Sequence, residues 1–211
     1  MEIIKPDAYL YDEQQIKIVE DHIVKHFGEV KTVLHEFASF DIHVDVEIVE
    51  PTEDKNYYTL ITVGMGTYKM NVPEDYKDER IDRIELLLCL PPDWDLKTQN
   101  DEYRWPGDLL RDLARLPLRE NSWLGYGHTI PNGVPFADNT KLSSTILLGL
   151  QDASNEACTC ELPDGDRILF YQIIPLYDEE TEYKLANGTN ALLSHMGDVD
   201  HVIDINRKSV I

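Results

Sequence analysis

The chain has 211 residues and is 42% hydrophobic, enough to build one domain around a real core. Lys and Arg number 19 against 40 Asp and Glu, a formal net charge of −21, which argues against nucleic acid or an anionic membrane as partner and favours a basic one. No apolar run approaches the ~20 residues of a membrane span, and MEIIKPDAYLYDEQQ does not read as a secretory leader, so a cytoplasmic protein is expected. Acids exceed bases in every third of the chain, so the field is not that of a charged tail. Solubility alone also favours such a surface, so charge restricts the partner without identifying it.

Residues 13–27 are predicted as an amphipathic helix, because Ile16, Val19, Ile23, Val24 and Phe27 recur at three- and four-residue steps before Gly28. Strands are predicted at 30–36, 42–48, 57–65 and 81–90. Residues 42–48 alternate strictly, implying one buried and one wet face. Residues 81–90 are nearly continuously apolar after Arg83, which calls for a central strand covered on both faces. A polar loop carrying Trp94 leads to a second helix at 105–116. Residues 121–137 lack periodicity and read as a long loop with a short strand. Strand returns at 142–150. Strands 158–162 and 167–174 flank Pro163-Asp164-Gly165-Asp166, a hairpin signal. Helices at 178–186 and 189–196 each end at a glycine, and Asp178, Glu179 and Glu180 suit the first turn of the former. Residues 202–205 are a candidate last strand.

No repeat and no linker divides the chain. The pattern predicts an α+β fold: one domain over 1–211, with a mixed, mostly antiparallel central sheet and flanking helices. Strands 81–90 and 167–174 should lie in the middle of that sheet.

Cys89 sits in an apolar strand. Cys158 and Cys160 are too close-set for a structural zinc corner, so all three read as reduced thiols. His43, Asp45 and Glu47 share a strand face and read as its solvated side rather than as metal ligands. Asp198, Asp200, His201 and Asp204, with His195 nearby, lack calcium-loop and zinc-helix patterns and read as a polar loop. Neither a metal site nor any other cofactor is expected. Gly64-Met65-Gly66 fails the dinucleotide fingerprint, and no phosphate-binding loop or nucleophile elbow is present. Ser122 and His128 lie near each other in sequence, but nothing marks a third triad member.

The segment WPGDLLRDLARLPLRENSWLGYGHTIPNGVPFADNT, residues 105–140, carries most information. A helix ends in a polar turn, and then come Trp123, Gly125-Tyr126-Gly127-His128, Pro131-Asn132-Gly133 and Pro135-Phe136. Upstream lies IELLLCLP at 84–91, and downstream FYQIIPLY at 170–177, followed by acids and Tyr183. This ordered set resembles the Suppressor of fused (SUFU) domain family over roughly residues 30–196. The resemblance implies the fold of that family's N-terminal domain and a protein-binding role. Two-domain animal members hold a transcription-factor peptide as an added strand between domains. This chain matches the first domain only, and Gly127 stands where the animal pattern has an acid. Stand-alone bacterial members are proposed as immunity proteins of polymorphic toxin systems.

Trp123, Tyr126 and His128 are the candidate partner-binding residues: aromatics supply contact area at low entropy cost, on a segment freed by Gly125 and Gly127. His128 has a structural alternative, a ring hydrogen-bonded to a turn. Three functions stay open. One is a non-enzymatic immunity protein neutralising a basic toxin domain. The second is a signalling adaptor that takes a peptide on an exposed sheet edge. The third is an enzyme using His128 with nearby carboxylates.

Overall fold

The computed structural model describes residues 3–4, 8–197 and 199–211. After a short strand β1 (Ile3–Ile4), helix α1 (Glu13–His26) starts at a reciprocal cap. Asp12 accepts from the Gln14 and Gln15 amides, and the Gln15 side chain returns to the Asp12 amide. Strands β2 (Val30–Leu34), β3 (Ala38–Ser39), β4 (Asp45–Val49), β5 (Tyr58–Val63) and β6 (Ile84–Leu90) precede helix α2 (Asp101–Glu120). Then come β7 (Thr129–Pro131), β8 (Ser144–Leu148), β9 (Thr159–Glu161), β10 (Arg167–Leu176), α3 (Asp178–Asn187) and α4 (Thr189–His195).

The main sheet runs β2-β4-β5-β6-β10-β8-β7, and β9 pairs with the first half of the long β10. The β6–β10 pair is parallel, and the other pairs of this sheet are antiparallel. Strands β6 and β10 are central, as their largely apolar runs require. Side chains alternate across the sheet. Ile84, Leu86, Leu88 and Leu90 join Trp105, Leu110 and Leu113 of α2 in one core, while Leu87 and Cys89 join Val19 and Ile23 of α1 in the other. A third cluster packs Ile146, Leu148, Ile174 and Leu176 against Leu192 and Met196.

Glu85 interrupts the β6 run and is fully buried. Its carboxylate accepts from Tyr11 Oη at 2.7 Å, the Gly64 and Gly66 amides at 2.9 and 3.0 Å, and Thr62 Oγ1 at 2.5 Å. Burial still holds its pKa above the usual carboxylate range. The two glycines serve this cradle. A Cβ on Gly64 would stand 2.0 Å from the His43 carbonyl oxygen, and one on Gly66 would stand 2.2 Å from Tyr11 Oη.

Three local expectations are corrected. Helix α2 begins at Asp101, not 105, because Asn100 accepts from the Glu102 amide as a cap. Pro106 then falls inside the helix. Its missing N–H leaves the Glu102 carbonyl open, and Asn139 Nδ2 donates there instead at 3.4 Å. The face carrying His43, just before β4, and Asp45 and Glu47 of β4 is not a solvated one throughout: the first two are half-buried and Glu47 is buried. Glu47 is 5% exposed on the side that α1 covers, and its Oε2 has no partner among the described residues. Burial and the nearby carboxylates of Glu20, Glu85 and Asp45 push its pKa up to about 7. The tail at 202–205 is not a strand. Val202 makes an isolated bridge to Cys89, and the tail is held by Arg207 on the fully buried Glu180 at 2.5 and 2.6 Å.

Candidate partner-binding surface

The loop after α2 is built by its cap and its glycines. Asn121 turns left-handed (φ 46°) and the Ser122 amide donates to the Pro117 carbonyl, ending the helix. Trp123 then folds back with its ring edge-on to His128, centroids 4.4 Å apart, and 5.7 Å from Tyr76. Gly125 makes room, since a Cβ there would lie 2.7 Å from Trp123 Cζ3. Gly127 adopts φ 77° and donates to the Leu147 carbonyl at 2.7 Å, while the Leu147 amide donates to the His128 carbonyl at 3.0 Å. His128 therefore leads directly into β7, registered against β8.

Structure brings Trp123 and His128 into contact and leaves Tyr126 55% exposed beside them. Trp123 is half-buried, packed on the α2-side core. Among the described residues, Tyr126 is held through its backbone, by a hydrogen bond to the Tyr171 hydroxyl. Burial lowers the His128 pKa, Lys184 adds to the effect, and a hydrogen bond with the Trp123 backbone opposes it. A His pKa below its usual value leaves the ring neutral at physiological pH. His35 Nδ1 lies 2.9 Å and His43 Nε2 3.4 Å from the Asp45 carboxylate, both local contacts. Among the described residues, no group of three or more His, Cys, Asp or Glu is placed to hold a metal ion. Asp198 of the C-terminal acid/His group lies outside the described residues.

A feature missed by sequence reasoning lies alongside. Strand β7 is the last of the sheet, and a groove of about 440 Å³ separates it from α2. Ile130, Trp105, Leu109 and Phe136 supply apolar lining, and Trp105 stacks on Phe136 at 5.0 Å. Asp101, Asp108 and Asp112 line the α2 side, with Arg119 at its end. Their spacing puts them in one stripe of a helix, a signal legible only once the helix start is moved back to Asp101. His128 and Ile130 are two apart on an extended segment, so both point to the same side of it.

The sequence model of the family described as Suppressor of fused protein (SUFU) matches residues 41–208. The chain belongs to the Suppressor of fused family. An uncharacterised protein of Ureaplasma parvum serovar 3 is 27% identical over 207 residues, covering 96% of this chain and 98% of its own length. A putative SUFU homologue from Neisseria gonorrhoeae FA 1090 shares the fold at a TM-score of 0.67 and 16% identity, over 92% of this chain and 96% of the other. The structure of a Sufu–Fu complex gives 0.63 at 15% identity, over 98% and 93%. Drosophila Suppressor of fused gives 0.56 at 19% identity, where this chain spans 42% of the longer protein. These neighbours establish the α+β fold of this Suppressor of fused domain, and one of them was solved as a complex. Among the described residues, no helix is long and apolar enough to cross a membrane.

Proposed function

We propose that this chain is a non-enzymatic protein-binding domain that captures a basic segment of its partner, and that the partner is a cognate toxin it neutralises as an immunity protein. The observation that carries the reading is the half-buried edge strand β7 beside an apolar groove lined by three Asp, continuous with the Trp123–Tyr126–His128 loop. An open edge offers backbone pairing, apolar pockets take alternate side chains, and carboxylates select Lys or Arg. The −21 surface steers the same partner toward the groove. Resemblance to stand-alone bacterial members supports the toxin as target. The His128 ring is taken up by the indole and backbone of Trp123, which favours a contact or structural role over acid–base work. The same edge supports the adaptor reading, in which the bound peptide belongs to a signalling protein.

The test is co-expression of the full chain with the product of the neighbouring upstream gene. Co-purification, relief of growth inhibition, and loss of both on changing Asp101, Asp108 and Asp112 to Lys are expected. Capture without any toxicity to relieve would move the reading to the adaptor. Capture and relief unaffected by the triple change would remove the groove from the binding surface.

A further inference from the structure

Three dipeptides in the chain put glycine after Asn or Asp: Asn132-Gly133, Asp164-Gly165 and Asn187-Gly188. Glycine has no side chain to shield its amide nitrogen, so that nitrogen can reach the carbonyl carbon of the preceding side chain. The reaction needs an amide that is not already donating a hydrogen bond, on a backbone free to close a five-membered ring.

Hydrogen bonding distinguishes the three. The Gly188 amide donates to the Lys184 carbonyl at 2.7 Å, ending α3, and the Asn187 carboxamide donates to the Tyr183 carbonyl at 2.9 Å. The Gly165 amide donates to the Leu162 carbonyl at 3.1 Å. The Gly133 amide has no hydrogen-bond partner among the described residues. Gly133 sits in the middle of residues 131–135, which are all exposed, and nothing lies within 4 Å of where a Cβ would stand. Its φ of 81° is left-handed, a conformation glycine enters and leaves without strain. The Asn132 carboxamide reaches forward across it, Nδ2 donating to the Val134 carbonyl at 2.8 Å. That bond is exposed, so water replaces it at little cost.

We propose that the fold makes Asn132, and not Asn187, a site of spontaneous deamidation, which turns a neutral residue of the β7 groove into a carboxylate. The Gly133 nitrogen bonds to Asn132 Cγ as the Cγ–Nδ2 bond breaks. Nδ2 leaves as ammonia, carrying the proton lost from the Gly133 amide. The succinimide so formed takes up one water. Opening at Cγ gives aspartate, and opening at the main-chain carbonyl gives isoaspartate, whose backbone runs through Cβ and Cγ. No oxidant or cofactor enters.

The location gives the change a consequence. Asn132 lines the groove together with Asp101, Asp108 and Asp112, and its amide donates to the Ser143 carbonyl at 2.8 Å, just beyond the end of β7. Either product adds a carboxylate to those three, and isoaspartate also lengthens the backbone beside that bond. The groove grows more acidic as the protein ages. The chemistry stands whether or not a toxin binds there.

Peptide mapping by mass spectrometry of the full chain, held folded at neutral pH and physiological temperature, tests this. A gain of one mass unit at Asn132, divided between aspartate and isoaspartate, should appear at least tenfold faster than at Asn187. In guanidinium chloride, where both Asn-Gly pairs lose their hydrogen bonds, the two rates should converge to within threefold. Gly133→Ala should slow the reaction at Asn132 at least fivefold; if that variant fails to fold, the wild-type comparison of the two asparagines still decides. Three outcomes would each overturn the proposal: no conversion of folded Asn132 in the time the unfolded chain takes to convert half of it, equal rates at the two asparagines in the folded chain, or a tenfold difference that persists in denaturant.

Discussion

Glu47 offers a test of the fold's energetics that depends on no partner. It projects from β4 between β2 and β5, registered with Val33 and Ile61, and its exposure is 5%. Burial and three nearby carboxylates raise its pKa from 4.5 to about 7. The folded pKa lies above the unfolded one, so the folded state holds the proton longer. Stability is therefore full below the unfolded value, falls as pH rises from about 4.5 to about 7, and is flat beyond. A rise of that size corresponds to about 3 kcal/mol, at 1.36 kcal/mol per pH unit. About 2 kcal/mol of it falls between pH 5.5 and 8, a window that avoids the isoelectric region near 4.5. Glu47→Gln cannot ionise and should lose that dependence. Its buried amide carries a penalty of its own, so the decisive quantity is the difference between variant and wild type at the two pH values. Urea denaturation at pH 5.5 and 8 should show the variant gaining about 2 kcal/mol relative to wild type at the higher pH. That difference also cancels the independent titration of Glu85, whose pKa is raised as well, and retains its coupling to Glu47. Parallel pH profiles for the two proteins would show that Glu47 is not the titrating group and that its burial argument fails.

Other perturbations address the binding surface and the tail. Tyr126→Ala should cost ~1–3 kcal/mol of affinity for the captured partner with Tm almost unchanged, since it is held through its backbone; a normal melt with full affinity removes the loop from the interface. Stopped-flow association should slow steeply from low to moderate salt, because exposed charges are screened beyond ~8 Å at physiological ionic strength; a flat profile rules out steering. Arg207→Ala strands the fully buried Glu180 carboxylate and should destabilise the chain by ~3–5 kcal/mol in thermal or urea melts near neutral pH, where a loss below 1 kcal/mol would contradict the latch.

Much of the fold was legible because local and global signals agree. The apolar runs of β6 and β10 demanded the middle of a sheet, and Gly28, Pro163–Asp166 and Gly188 punctuated the chain where elements change. Failures came where a distant group settles a local matter. Trp105-Pro106 imitates a helix start. The chain continues helically through it because Asn139, 33 residues on, supplies the donor that Pro106 lacks. The alternation at 42–48 gave the right period but the wrong environment for Glu47, since period does not say whether a helix covers the polar face. In the candidate site, the loop stood out through its aromatics and glycines. The groove did not, because its carboxylates and the edge strand opposite them are brought together only by the tertiary fold.

Helix α2 carries its charge in a regular pattern. Asp101, Asp108 and Asp112 repeat at steps of seven and four, and so do Arg104, Arg111 and Arg115, three residues later. On a helix these are two parallel stripes set ~60° apart. The acid stripe borders the β7 groove, while Arg104 and Arg111 border a cavity toward β2, with Asp108 reaching both. One amphipathic helix, buried through Trp105, Leu110 and Leu113, thus carries acids to both flanks: three toward the β7 groove, with Arg119 at its end, and Asp108 beside Asp95 toward β2. A stripe of carboxylates beside an edge of the sheet is what the proposed capture of a basic chain needs.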